Sequence, residues 1–532
     1  MHKNKIYLYG KGYDMNSSVS RTPKSIFSVT LLAIFAMAGF TVAQTTDDEL
    51  KDHPEYTASG YLVYPEPDKS VKYTKAPAGY KPFYISHYGR HGSRYHYSAD
   101  DYNYLFETLA KADSAKALSV TGKYIMLSSK LLADKAASRA GDLTQKGVKQ
   151  HEGIAMRMAK NFPDVFKSKN AKIAEVNAKG KQVKKNVKLP PQVDAFASTS
   201  GRCIVSMSAF VGGLKSQVPT AQIRMESGKS LMGHINTFNF DITKNYAETP
   251  EFKAENDKLW KDISTDNFVR TIFADTAYVS KNVDVSNLYN KMFEIAGSIQ
   301  GMEDDNDLII FDRLFPKEEK IKRWKAQNAW WYSILGTCPL TGNDGINTAK
   351  PILGNILEEA EKAIADAEND VGGKTPANTV ATLRFGHDTG LLPLAGLMQL
   401  SVANAKVTDL SKLHEQWTDF RIIPMAANLQ MIFYKKPGAK PAKGAAPEIL
   451  VKFLYNEREV TAPIPCGDEP AQEPAQVKAD IKPGMVAARP AAQPAAPGVM
   501  LPPPPAKKVK CPAAPYYRWE DVKNFYGKIL AE

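Results

Sequence analysis

The run Phe83-Tyr84-Ile85-Ser86-His87-Tyr88 constrains this chain more than any other stretch. It reads as a short buried strand, and it runs straight into Gly89-Arg90-His91-Gly92-Ser93-Arg94. A buried strand that empties into a glycine-bearing turn rich in charge points to an α/β sheet, where reactive groups gather beyond the carboxyl ends of strands. Two arginines so close to one histidine are costly to bury without an anion. Guanidinium groups suit bidentate binding of phosphate oxygens, and the N–H groups of a glycine turn add further donors. A histidine beside bound phosphate, neutral at its attacking nitrogen, is a nucleophile for phosphorus. Taken alone, the same residues also describe a basic surface cluster with a solvated histidine.

The rest of the chain supplies two more strand ends. Val193, Ala195 and Ala197 recur at strand spacing, and a helix follows through Arg202, Ser206, Phe210 and Leu214. Arg202 therefore stands near a helix start, which favours an anion. Leu383-Arg384-Phe385 reads as a strand end, followed by His387-Asp388-Thr389. There a histidine can donate to a phosphoryl oxygen, and the adjacent carboxylic acid can protonate a leaving alkoxide. Thr144 to Phe162 is a helix with Val148, His151, Ala155, Met158 and Phe162 on one face, which makes His151 a core residue. Ile422–Tyr434 and Ile449–Tyr455 read as two further strands.

Strands first, a helical middle and strands again predict one α/β core with a helical insertion domain. The expected boundaries are 44–215 for the first part of the core, 216–372 for the mostly helical insertion and 373–462 for the second part. Residues 463–515 hold 14 of the 34 prolines, too many for the segment to bury the apolar area that folding requires, so an irregular insert is expected. Trp519, Val522, Tyr526 and Ile529 then recur at helical spacing, so residues 516–532 return to the body as a helix. Cys466 and Cys511 bracket the insert, and a disulfide between them is the economical pairing where thiols oxidise. Cys203 reads as a buried thiol, and His234 as a loop residue able to line a pocket. Residues 167–190 carry eight lysines and one glutamate and read as a solvated hairpin.

Lys3, Lys5, Lys11, Arg21 and Lys24 precede the apolar stretch Ile26–Val42, and Thr41-Val42-Ala43 offers the small residues of a cleavage site. Residues 1–43 are therefore expected to be a signal peptide cleaved near Ala43, sending the protein to the periplasm or outside the cell. Met15 is an alternative start. No later apolar run is long enough to span a bilayer, so no stable membrane span is expected after cleavage. The net charge of +12 favours anionic partners without choosing among them, and no nucleic-acid recognition motif is present. The nine histidines and four cysteines show no metal-ligand spacing, so neither metal nor cofactor is expected.

Arg90-His91-Gly92-Ser93-Arg94, the distal Arg202 and His387-Asp388, each after a strand, together resemble the histidine phosphatase superfamily in its acid phosphatase and phytase branch. Gly141-Asp142-Leu143-Thr144-Gln145-Lys146-Gly147 is similar to that family's Gly-x-Leu-Thr-x-x-Gly helix entry, and Ile423-Pro424-Met425-Ala426-Ala427-Asn428 to its late core strand. The resemblance implies a histidine-phosphatase-like α/β core and a metal-free, two-step reaction through a phosphohistidine. His91 would be the nucleophile. Arg90, Arg94, Arg202 and His387 would hold the phosphoryl oxygens, and Asp388 would serve as acid and then base. Arg-His-Gly-Ser-Arg-Tyr most resembles the multiple inositol polyphosphate phosphatases, which implies a small polyanionic phosphomonoester as substrate. Those proteins typically carry His-Ala-Glu where this chain has His387-Asp388, and many other relatives carry proline where this chain has His96. A broad acid or sugar phosphatase is the alternative substrate reading. An anion-binding protein without catalysis is the alternative of another class, which needs neither His91 nor Asp388.

Overall fold

The Phe83–Tyr88 run lies inside β1 (Lys81–Arg90), a strand buried from Tyr84 to its end. Tyr84 and Tyr88 enter one apolar cluster and Ile85 another, so β1 is covered on both faces, which is why its sequence is nearly continuous in apolar residues. The computed structural model describes residues 45–67, 72–238, 249–303, 314–368, 378–438, 448–467 and 511–532. The expected leader, residues 1–43, and the body of the proline-rich insert, residues 468–510, lie outside the described residues.

The other strands are β2 (Lys169–Val176), β3 (Gln182–Leu189), β4 (Gln192–Ala197), β5 (Gln222–Ser227), β6 (Thr379–Gly386), β7 (Asn428–Lys435), β8 (Leu450–Tyr455), β9 (Arg458–Val460) and β10 (Tyr516–Arg518). Across the main sheet the order is β10-β8-β7-β1-β6-β4-β5, with β9 beside β8. The half made of β1, β6, β4 and β5 is parallel, and the half made of β7, β8, β9 and β10 is antiparallel. Among the described residues, β2 and β3 pair only with each other, as a separate hairpin.

Helices cover the sheet on both faces. Gln145–Asn161 and Gly201–Gln217 pack Ile154, Met158, Phe210 and Leu214 on one side. Lys317–Leu335, Lys350–Glu368, Asp388–Leu397 and Trp519–Ala531 cover the other, through Tyr332, Ile352, Leu391 and Tyr526. A further apolar cluster joins Ala99–Ser114 and Val120–Ala136 to Asp266–Ile272 and Val285–Ile299, around Leu105, Ile125, Phe268 and Leu288. Helices from two distant stretches of the chain thus build one cluster. Cys466 and Cys511 are joined by a disulfide.

Two local expectations change. β5 lies within the stretch read as helical insertion. It is an edge strand, and only its Ile223 and the preceding Ala221 turn away from solvent, so it carries almost no apolar signal. Ile422–Tyr434 is not one strand: a short helix, Asp419–Ile422, precedes a connection, and β7 begins only at Asn428. Pro424 has no N–H to give a ladder, and Ala426 takes φ = 59°, which breaks an extended path.

Candidate active site

Three parallel strands end side by side. Arg90 at the end of β1 pairs with Gly386 of β6, and Ala197 at the end of β4 pairs with Phe385. The next residues are His91, His387 and Ser198. Backbone bonds fix the first of these turns on both sides: His91 N–H donates to the Gly386 carbonyl at 3.0 Å, and Ala426 N–H donates to the His91 carbonyl at 2.9 Å. Gly92 lies against the first turn of the Gln145–Asn161 helix. A Cβ on Gly92 would stand 2.6 Å from the Gly147 carbonyl oxygen, and one on Gly147 would stand 2.3 Å from that of Ser93. Thr144 caps this helix through Gly147 N–H (3.2 Å), while Thr144 N–H donates to the Ser93 carbonyl at 2.9 Å. The Gly141–Gly147 segment therefore serves as the seat of the His91 turn.

His91 is 1% exposed, and its Nδ1 lies 3.0 Å from the Gly92 carbonyl. A carbonyl only accepts, so Nδ1 carries the proton and Nε2 keeps a free lone pair. Burial pushes the imidazole well below the ordinary histidine range, and the charges of Arg90, Arg202 and Arg94 push the same way. The ring is neutral at physiological pH.

The three arginines differ in how they are held. Arg90, 2% exposed, donates Nη1 to the carbonyls of Gly60 (2.6 Å) and Ile423, and pairs Nη2 with Asp388 Oδ2 at 2.6 Å. Arg94 donates Nη1 to the Tyr95 carbonyl at 2.9 Å. Arg202 enters from the first turn of the Gly201–Gln217 helix and approaches His387 Nδ1 with Nη2 at 3.4 Å. Among the described residues, the Nε atoms of all three are buried without a hydrogen-bond partner. Such a convergence of donors around a neutral nucleophile fits an anion.

His387 lies edge-on to His91, with ring centroids 5.6 Å apart. Arg202 can only donate, so His387 Nδ1 accepts and Nε2–H faces Ser198 Oγ at 3.0 Å. In this arrangement the one N–H of the ring goes to Ser198. Burial, then the Arg202 charge, lowers His387 to about 4. Asp388 opens the Asp388–Leu397 helix and accepts from Thr389 N–H at 2.8 Å. Burial raises its pKa, but Arg90, His387 and Arg94 outweigh burial and hold it below the usual carboxylate range. Asp388 is thus ionised and paired with Arg90.

His91, Arg90, Arg94, Arg202, His387 and Asp388 are brought together at one sheet edge. His234 ends a short turn of helix, Lys229–His234, half-buried and beside this edge, where Ile235 accepts the Tyr88 hydroxyl at 2.7 Å. His151 is buried among Phe210 and Phe385. Cys203 is a buried thiol, pushed up to about 11 by its burial and donating to the Gly386 carbonyl at 3.2 Å. Sequence reasoning missed Gly60, Ser198 and the Ile423 carbonyl. Ser198 carried a signal, since it directly follows a strand. Gly60 and Ile423 act through backbone carbonyls, which leave no trace in residue identity.

Residues 89–456 match the family described as histidine phosphatase superfamily, branch 2. The chain belongs to this family. Human multiple inositol polyphosphate phosphatase 1 is 21% identical over 348 residues, which span 60% of this chain and 61% of the human protein. The multiple inositol polyphosphate phosphatase of Bifidobacterium longum, solved in complex with phosphate, shares the fold with a TM-score of 0.60 at 19% identity, over 77% of this chain and 94% of that one. The D. castellii phytase superposes with a TM-score of 0.50 at 15% identity, over 77% of this chain and 80% of its own. In this histidine phosphatase, no helix among the described residues is long and apolar enough to cross a membrane.

Proposed function

We propose that this histidine phosphatase is an exported phosphomonoesterase that hydrolyses inositol polyphosphates through a phosphohistidine at His91. The observation that carries the reading is the neutral His91, with Nε2 unprotonated, beside three guanidinium groups whose Nε atoms have no acceptor among the described residues. Nε2 attacks phosphorus in line while Arg90, Arg94 and Arg202 stabilise charge on the equatorial oxygens. His387 joins them by turning its N–H from Ser198 to a phosphoryl oxygen. The P–O bond to the alcohol breaks, and the leaving oxygen takes a proton from Asp388. Water then attacks the phosphohistidine, Asp388 accepts its proton, and phosphate departs from His91.

Asp388 is ionised in the free protein, so its proton must arrive with the substrate. A phosphomonoester loses its second proton near pH 6. The monoanion carries a proton into the site, and its negative charge beside Asp388 offsets the pull of Arg90 and raises the carboxylate's affinity for that proton. This supports an acidic optimum.

The inositol polyphosphate reading rests on the Arg-His-Gly-Ser-Arg-Tyr resemblance and on the likeness to the human and B. longum proteins. Export rests on the sequence of residues 1–43. Residues 216–372 are read as a mostly helical insertion whose first strand, β5, extends the sheet of the core formed by 44–215 and 373–462. Phosphate release from phytate, β-glycerophosphate and p-nitrophenyl phosphate tests the assignment. A kcat/KM for phytate at least tenfold above that for β-glycerophosphate is expected. Equal values would replace it with a broad acid phosphatase, and turnover of none of the three would leave an anion-binding protein.

A further inference from the structure

Tyr61 ends the short helical segment Pro54–Tyr61, ahead of the 89–456 span that matches the family. It nevertheless reaches Arg94. The guanidinium carbon of Arg94 lies 5.0 Å from the Tyr61 ring centroid, and Arg94 Nη1 approaches the phenol oxygen at 3.5 Å. Behind Tyr61 runs a chain of buried polar groups. Its hydroxyl is 2.9 Å from His96 Nδ1, and His96 Nε2 is 2.9 Å from Asp101 Oδ2. The other oxygen of Asp101 pairs with Lys291 of the Val285–Ile299 helix. His96 is fully buried, and its backbone N–H donates to the Tyr102 hydroxyl at 2.8 Å.

The chemistry of these groups gives the chain one direction. Burial raises the Asp101 carboxyl, but Lys291 and His96 hold it below the usual range, so it is an acceptor. His96 is kept neutral because burial, Arg94 and Lys291 outweigh the Asp101 contacts that pull its pKa up. Its Nε2–H therefore donates to Asp101, and its Nδ1 accepts the Tyr61 proton. That commits the Tyr61 hydroxyl away from Arg94 and leaves a lone pair on the phenol oxygen for Nη1. Without this commitment the O–H is free to turn toward the guanidinium, donor against donor.

We propose that Tyr61, oriented through His96 and Asp101, is a positioning residue that sets the aim of Arg94 and so the affinity of the site for a phosphoryl group. The inference rests on the reading of Arg94 as a phosphate ligand. It gives a role to His96, a fully buried side chain that the phosphoryl-transfer steps do not use.

The test is a double-mutant cycle read by calorimetric titration with inorganic phosphate, alongside kcat/KM on a phosphate ester. Tyr61→Phe keeps the ring beneath the guanidinium and removes only the oxygen. It should weaken phosphate binding by about three- to tenfold. In the Arg94→Ala background the same change should have less than about a twofold effect, because there is no guanidinium left to aim. Thermal unfolding of each variant reports the fold. An unchanged phosphate affinity in Tyr61→Phe, or the same loss with and without Arg94, would overturn the positioning role. Either result leaves the phosphatase reading standing. If the parent chain binds phosphate but hydrolyses no ester, that reading fails, and the cycle still decides the role of Tyr61. Failure of the parent chain to bind phosphate would overturn both.

Discussion

The chain gathers positive charge in two places and treats it in opposite ways. At the carboxyl edge of β1, β6 and β4, Arg90 and Arg94 are 2% and 8% exposed, and backbone carbonyls, Asp388 and aromatic rings hold them. On the β2–β3 hairpin, the register places Lys172, Lys184 and Lys188 on one face, where all three are exposed. β3 ends at Leu189, just ahead of Gln192 at the amino end of β4, so the hairpin joins the body at the edge away from the site. Exposed lysines are screened within about 10 Å at ordinary salt. Buried arginines already fixed in place meet an anion with little reorganisation. Total charge therefore says little about where chemistry happens, and immobilised charge says much.

The largest expected effect comes from His91→Ala, which removes the nucleophile and leaves the arginines. Turnover should fall by at least about 10⁴-fold, with the circular dichroism spectrum unchanged. Arg90→Ala should cost both activity and stability. It removes the Arg90 partner of Asp388 and the Arg90 donor to the Gly60 and Ile423 carbonyls, and loss of one member of a buried pair destabilises by about 3 kcal/mol, which urea unfolding reads. Asp388→Asn should slow an alkyl phosphate by about 10²–10³-fold and p-nitrophenyl phosphate by far less, since an activated phenol hardly needs an acid. Equal losses on the two esters would remove Asp388 from proton transfer.

Stability should also depend on pH in a way that marks the buried edge. Burial lowers His87 and His151 to about 3, and burial with Arg202 lowers His387 to about 4. The unfolded chain takes up these protons near the ordinary value of 6.5, while the folded chain resists them. Stability should therefore fall as pH drops below about 6.5, by up to about 1.4 kcal/mol per pH unit for each such group. Unfolding in urea at pH 7, 6 and 5 measures that slope. The smallest effect is expected at the hairpin. Replacing Lys172, Lys184 and Lys188 together with alanine should change kcat/KM by less than about twofold at 0.15 M salt. A larger loss would mean that exposed charge steers the substrate, and the contrast between the two regions would weaken.

Which parts of this molecule were legible follows from how local their signals are. β1, β4 and the Gln145–Asn161 helix announce themselves by apolar periodicity, because each packs a continuous face within a few residues. Arg90, His91 and Arg94 fall within five consecutive residues, and His387 and Asp388 are neighbours, so each group was visible as a motif. Tyr61 was not, because its partners His96 and Arg94 are 35 and 33 residues away and its own segment has no marked pattern. β5 was missed because an exposed edge strand does not need apolar residues. The break between Asp419–Ile422 and β7 was missed although Pro424 stood in view, since the apolar residues around it read as continuous strand.

The proposed reaction turns on a covalent bond from His91 to phosphorus. Rapid mixing with ³²P-labelled phytate, an alkaline quench that preserves phosphohistidine, and peptide mapping would reveal it. Transient label is expected on His91 in the parent protein and none in His91→Ala. Label on another residue, or sustained turnover with no labelled protein at any time, would contradict it.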